Sequence, residues 1–107
     1  MIIVSSNDIP GSRIVSTVGG CVGITVRSRH WGSNLAAGWK EIAGGELRGI
    51  TKLLQESREE ALGRLADNAK ELGGNAVIAF RFDTNEYENI GLEVCAYGTA
   101  VVIEPDA

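Results

Sequence analysis

Two cysteines and one histidine are the strongest candidates for metal ligands in this chain. Cys21 and Cys95 lie on predicted strands, and His30 follows the first of these strands. Strand alternation predicts both thiols on one face of the sheet, where two thiolates suit Zn²⁺ or Cu⁺. Because two sulfurs do not complete a tetrahedral site, His30, a carboxylate or another subunit would supply the rest. The alternative is that each cysteine is a small buried apolar residue.

Catalytic chemistry has little support in this sequence. His30 stands beside Trp31, and no serine or cysteine nucleophile with an orienting aspartate can be assigned around it. Gly19, Gly20 and Gly23 lie inside a predicted strand, whereas a phosphate cradle needs a strand-to-helix turn. These glycines favour a bulge, a bend or a close backbone approach. We therefore expect a binding protein and not an enzyme.

The first half of the chain predicts two strands and a short helix. Ile2–Val4 is a short β-branched run that indicates an edge strand, and Ile14–Ser28 predicts a long strand. Ser33 or Asn34 can cap a short helix that runs through Leu35 to Ala43 and stops at Gly44-Gly45.

A long amphipathic helix is predicted from about Glu46 to Leu72, where Gly73-Gly74 ends it. Its apolar stripe consists of Ile50, Leu54, Ser57, Ala61, Leu65, Ala69 and Leu72. Charged residues lie mostly off this stripe, and pairs such as Glu60 with Arg64 are typical of a solvated face. Asn68 is the polar residue nearest the stripe, so we expect it to bond backbone at the sheet edge.

Two further strands follow this helix, because the hydrophobic repeat changes to period two after the glycines. A turn over Thr84–Ile90 would bring them together as an antiparallel pair. It implies three cross-strand pairs: Arg81 with Glu93, Ala79 with Cys95, and Val77 with Tyr97. The first pair predicts a structural ion pair, or else part of a ring of charges around a pore in an oligomer.

The same alternation sorts the side chains onto two faces of the sheet, one that packs under the helix and one that the helix does not cover. The face under the helix would carry Ile78, Phe80, Phe82, Leu92, Val94, Ala96 and Val102. The other face would carry Val15, Cys21, Thr25, Val77, Arg81, Glu93, Cys95, Tyr97, Thr99, Val101 and Ile103. One helix covers one side of a sheet, and an apolar patch left outside generally marks an interface. We therefore predict a homo-oligomer closed by cyclic symmetry.

Composition indicates one soluble domain spanning residues 1–107. The chain has 44% apolar residues and a net charge of −4, with its basic residues scattered, so nucleic acid is not an expected partner. No apolar run approaches the ~18 residues that cross a membrane, and no secretory signal is visible at the first residues. Two cysteines without close spacing indicate reduced thiols, and we expect a cytoplasmic protein.

Three segments of the chain resemble one protein family. They are GWKEIAGGELRGITKLLQESREEAL (Gly38–Leu62), ELGGNAVIAFRFDT (Glu71–Thr84) and AYGTAVVIE (Ala96–Glu104). In order and separation they are similar to the YbjQ family of small, uncharacterised bacterial and archaeal proteins. The likeness covers nearly the whole chain.

This resemblance implies an α+β fold, a two-layer β-α-β-β unit like a dodecin subunit. A long helix would cover an antiparallel sheet whose last strand lies between the other two main strands. Family members assemble as rings of five with short strands that bridge subunits, which implies a homopentamer in which Ile2–Val4 forms the bridge. The family is also described as heavy-metal-binding.

Two functions from different classes are consistent with these observations. The first is a non-enzymatic oligomeric protein that binds a metal ion or another small ligand at the sheet face or between subunits. The second is a structural platform for another protein, with no small ligand. The sequence identifies neither the ligand nor a protein partner.

Overall fold

The computed structural model describes residues 1–28, 48–87 and 91–106 of the chain. This part contains β1 (Ile2–Ile3), β2 (Ser12–Ser28), α1 (Arg48–Glu71), β3 (Ala76–Tyr87) and β4 (Gly91–Pro105). The predicted long helix and the strands around it are confirmed, with ends that differ by a few residues. The short helix predicted before α1 lies outside the described residues.

The four strands form one mixed sheet in the order β1-β3-β4-β2. β4 pairs antiparallel with both β2 and β3, which confirms that the last strand lies between the other two long strands. β1 runs parallel to β3, so the expectation of a wholly antiparallel sheet is wrong for this strand. Its partners, Ala76 and Val77, belong to the same chain. A bridging role for β1 between subunits stays a prediction.

α1 packs closely on β2 and β4 because small residues line the contact. A Cβ atom at Gly23 would overlap the carbonyl oxygen of Ala61 and the backbone nitrogen of Leu65. The close approach predicted for the glycines of β2 is therefore confirmed at Gly23. The core between helix and sheet consists of Cys21, Ala61, Leu65, Ala69, Val77, Val94, Ala96 and Ala100.

The hairpin of β3 and β4 extends further than predicted. β3 continues to Tyr87, which pairs with Gly91, so the predicted turn from Thr84 is wrong and the register differs by four residues from the prediction. The observed pairs are Arg81 with Tyr97, Asp83 with Cys95, and Asn85 with Glu93. The predicted ion pair between Arg81 and Glu93 is therefore wrong. The Arg81 guanidinium instead donates to the Ser5 carbonyl oxygen at 3.0 Å.

A bulge in β3 changes which side chains lie on each face. It falls between Ile78 and Arg81, and Ala79 within it has a φ of 53°. The Ala79 amide donates to the Ser6 carbonyl oxygen at 2.9 Å, so the bulge holds the N-terminal segment. Val77 consequently lies in the core under α1, and Ile78 packs on the other side. The predicted faces of these two residues are wrong.

The N-terminal segment covers one end of the second face. Ile9 is 9% exposed and packs with Ala76 and Val101, beside the partly buried Val4, Ile78 and Ile103. The prediction that Val101 remains available to a partner is therefore wrong, because its own chain buries it.

After a register shift between Thr17 and Gly19, the alternation along β2 is the reverse of the prediction. Cys21 and Thr25 lie under α1 and are 3% and 2% exposed. Val22, Ile24 and Val26 lie on the other side and are 43%, 43% and 50% exposed. The extra residue at this shift moves the following side chains to the opposite faces, and Gly23 then lies on the face that the helix backbone approaches.

Candidate functional site

The two cysteines predicted to act together lie on opposite sides of the sheet. Cys21 is buried among helix-side core residues, and burial raises the pKa of its thiol. It pairs with Gly98, whereas Cys95 pairs with Ile24, three residues further along β2 and therefore on the other face. The prediction that strand alternation places the two thiols on one face is wrong, because it placed Cys21 on the face away from α1. His30 lies outside the described residues.

On the side of the sheet away from α1, nine side chains on three strands form a surface that the helix does not cover. We call this surface the open face. It consists of Val22, Ile24 and Val26 on β2, Glu93, Cys95 and Tyr97 on β4, and Arg81, Asp83 and Asn85 on β3. Tyr97 is 45% exposed, similar to its β2 neighbours. Contiguous exposed apolar side chains of this kind mark sites of interaction.

Polar groups flank the apolar row on the β3 side of the open face. The Asn85 amide nitrogen donates to Asp83 Oδ2 and to Glu93 Oε1, each at 3.2 Å. Asp83 lies directly across the strand pair from Cys95. Two carboxylates therefore meet at one amide, and one of them lies across the strand pair from Cys95.

The Cys95 thiol has an environment that favours its protonated form. Partial burial raises the pKa of Cys95, and the negative charges of Glu93 and Asp83 raise it further. The same carboxylates would attract a cation, and a soft or borderline metal would displace the thiol proton on binding.

Within the described ranges, no group of three or more histidine, cysteine, aspartate and glutamate side chains lies close enough to hold a metal ion. The donors around Cys95 are therefore a partial set, and further ligands would have to come from elsewhere.

A second polar cluster joins α1 to β2. Glu60 accepts hydrogen bonds from Thr25 Oγ1 at 3.1 Å and from Arg27 Nη2 at 2.6 Å, and it pairs with Arg64 at 2.6 Å. Arg27 Nε also donates to Ser57 Oγ at 3.2 Å. The Glu60–Arg64 pair is confirmed, but Glu60 is not on a purely solvated face. Its acceptor oxygens are engaged, so the cluster fastens the helix and offers no ligand site.

Partial burial acts to raise the pKa of Glu60, but other effects outweigh it. The hydrogen bond from Thr25 and the charges of Arg27 and Arg64 hold this pKa below its ordinary value. The carboxylate consequently stays ionised at neutral pH.

Sequence reasoning missed Asp83 and Asn85 as members of a candidate site. Asp83 and Asn85 are two residues apart, so they lie on the same face of a strand, and the sequence alone shows this spacing. Their proximity to Cys95 depends on the register of the hairpin, which the sequence pattern did not fix.

Fold and surface together define a class: a two-layer α+β protein in which a helix covers one face of a four-stranded sheet and the other face is partly bare. The chain belongs to the YbjQ family. Residues 1–104 match the family model, whose description reads "Putative heavy-metal-binding".

Relatives share nearly the full length of the chain. It is 68% identical to a UPF0145 protein of Mycobacteroides abscessus, with 98% of both chains covered. It is 53% identical to a UPF0145 protein of Streptomyces coelicolor, over 96% of this chain and 97% of that one.

The fold is similar to the crystal structure of a protein of unknown function from Pediococcus pentosaceus. The TM-score is 0.57 at 18% identity, and 97% of this chain and 98% of the other are covered. This likeness supports the fold alone. In the part of the chain that the structure describes, no helix is long and apolar enough to cross a membrane.

Proposed function

We propose that this protein is a non-enzymatic, cytoplasmic homo-oligomer that binds a metal ion on the open face, at a site completed by a second subunit. The carrying observation is that Val22, Ile24 and Val26 are about half exposed in a row beside Cys95. Covering such a row with a second copy would remove its apolar surface from water. A ring of five, the assembly that the resemblance to the YbjQ family implies, is the form of oligomer we propose.

Cys95 is the ligand that we propose for the metal from this chain, with Asp83 and Glu93 beside it. A thiolate with carboxylates suits Zn²⁺, which also accepts four ligands of mixed type. Since the described residues provide no group of three donors, a second subunit or His30 would supply the remaining ligands. Cys21 is excluded from this proposal, because it lies beneath the helix on the other side of the sheet.

Equilibrium dialysis against Zn²⁺ under reducing conditions tests the metal site, because the chain offers a matched pair of cysteines. Cys95→Ser should reduce bound zinc at least tenfold, whereas Cys21→Ser should leave it unchanged. Wild-type binding should tighten between pH 6 and pH 8, since zinc displaces the thiol proton.

Two results would contradict the metal site. One is wild-type protein that retains no zinc after dialysis, and the other is equal loss of zinc in both serine variants. Either result would favour the second function, a structural platform without a small ligand. That alternative is supported by the incomplete donor set within the described residues.

A further inference from the structure

β2 is the outer strand of the sheet, and its backbone groups facing away from β4 can be identified. The Val22 amide donates to Asn68 Oδ1 at 2.9 Å, so it points to the free edge and not toward β4. In an antiparallel pair, alternate residues direct both the N–H and the C=O to the same side. Gly20, Ile24 and Val26 therefore also direct their backbone groups outward.

Two side chains of α1 reach over this edge. Asn68 accepts from the Val22 amide, which confirms the prediction that Asn68 bonds backbone at the sheet edge. Arg64 Nη1 donates to the Ile24 carbonyl oxygen at 2.6 Å. Arg64 Nη2 is fixed by Glu60 at 2.6 Å, so the donor is held in place. The outward N–H of Val22 and the outward C=O of Ile24 are therefore both hydrogen-bonded to side chains of α1.

We propose that Asn68 and Arg64 close the outer edge of β2 against strand addition by a second copy of this chain. A 17-residue outer strand rich in branched residues is a template for such pairing, and proteins commonly protect these edges. An added strand would need the Val22 N–H and the Ile24 C=O, and the two helix side chains already hold both. This inference does not depend on the metal site or on the open face.

The strand that the closure excludes is β2 of another copy. Two antiparallel β2 strands centred near Gly23 would place Val22 of one copy near Ile24 of the other. Each copy would thereby offer the same backbone groups in a self-complementary contact. Loss of the closure should therefore yield species of larger mass whose growth depends on protein concentration.

Asn68→Ala and Asn68→Asp form the matched pair of variants for the test. Alanine removes the acceptor for the Val22 amide, whereas aspartate keeps an oxygen in the same position. Sedimentation velocity should show Asn68→Ala with species at least twice the wild-type mass that increase with concentration. Asn68→Asp should sediment as the wild type does. Arg64→Met, which removes the donor to Ile24, should behave as Asn68→Ala does.

Folded Asn68→Ala with a mass distribution identical to that of the wild type would overturn the proposal. Circular dichroism identifies the folded state of each variant. Should the substitution prevent folding, amide hydrogen exchange of the wild type decides the matter. The Val22 amide should exchange at least tenfold more slowly than the outward amides of Ile24 and Val26, and equal rates would refute the closure.

Discussion

Gly23 is the residue on which the packing of helix and sheet depends most directly. A methyl group there would overlap backbone atoms of Ala61 and Leu65, which cannot move without displacing α1. We expect Gly23→Ala to lower the free energy of unfolding by about 3 kcal/mol. Urea denaturation followed by circular dichroism measures this change.

Gly63 provides the control for this substitution. It lies within α1, and a Cβ atom there meets nothing within 4 Å. Gly63→Ala should therefore raise the free energy of unfolding by roughly 0.5–1 kcal/mol, since alanine favours the helix. Equal effects of the two substitutions would contradict the close approach at Gly23.

Ala79 is the non-glycine residue with positive φ in the described part of the chain. Its φ of 53° lies in the left-handed region, where a Cβ atom costs about 1–2 kcal/mol. Ala79→Gly should consequently raise the free energy of unfolding by about 0.5–1 kcal/mol, after allowance for the greater freedom of glycine in the unfolded chain. Thermal unfolding should show a higher midpoint, and a lower one would contradict the strained conformation.

The contact between α1 and β2 should weaken in acid. Because the pKa of Glu60 is lower in the folded protein than in the unfolded chain, its contribution to stability is present above the unfolded value of about 4.5. That contribution is lost as the pH falls through the lower, folded value. Denaturant unfolding at pH 7 and pH 3 should therefore show a smaller loss of stability for Glu60→Gln than for wild type.

Glu59→Gln is the control at the adjacent position of the same helix, where the side chain is exposed. It should lose stability between pH 7 and pH 3 to the same extent as the wild type. An unchanged pH dependence in Glu60→Gln would show that this carboxylate does not fasten the helix.

The elements were predictable where local periodicity determines them. The helical stripe ended at Gly73-Gly74, and α1 ends at Glu71, because a glycine pair stops a helix wherever it packs. The register of β3 and β4 was not predictable in this way. It depends on where β3 ends, and the strand pairing continues to Tyr87, inside the segment that was predicted as a turn. The bulge at Ala79 has no local signal, since it is held by hydrogen bonds to a distant segment.

The candidate site was only partly predictable for the same reason. Cys95 was placed correctly on the face away from α1, but Cys21 was placed there too. A register shift between Thr17 and Gly19 reverses the alternation beyond it, and Cys21 consequently lies under α1. Asn68 was predictable because a polar residue beside an apolar stripe needs a partner.

The two faces of the sheet differ in what covers them. α1 covers one face, and the N-terminal segment covers one end of the other with Ile9. The rest of that second face keeps branched side chains about half exposed. Burying the exposed half of each of these side chains would contribute on the order of 1 kcal/mol to the free energy of association. This is the physical basis for the proposed oligomer.

Ile24 and Leu72 form a matched pair for testing where subunits meet. Ile24 is 43% exposed in the middle of the apolar row on β2, and Leu72 is 42% exposed just after α1, which packs on the opposite side of the sheet. Ile24→Glu should dissociate the oligomer, because a buried carboxylate without a partner is costly at an apolar interface. Leu72→Glu should leave the oligomer intact.

Mass in solution, measured by light scattering at micromolar concentration, tests the open face as an interface most directly. Wild type and Leu72→Glu should both show a multiple of the 11.3 kDa chain mass, five copies for the proposed ring, and Ile24→Glu should show a single chain. A wild-type mass of 11.3 kDa, or an Ile24→Glu variant with the wild-type mass, would contradict this account.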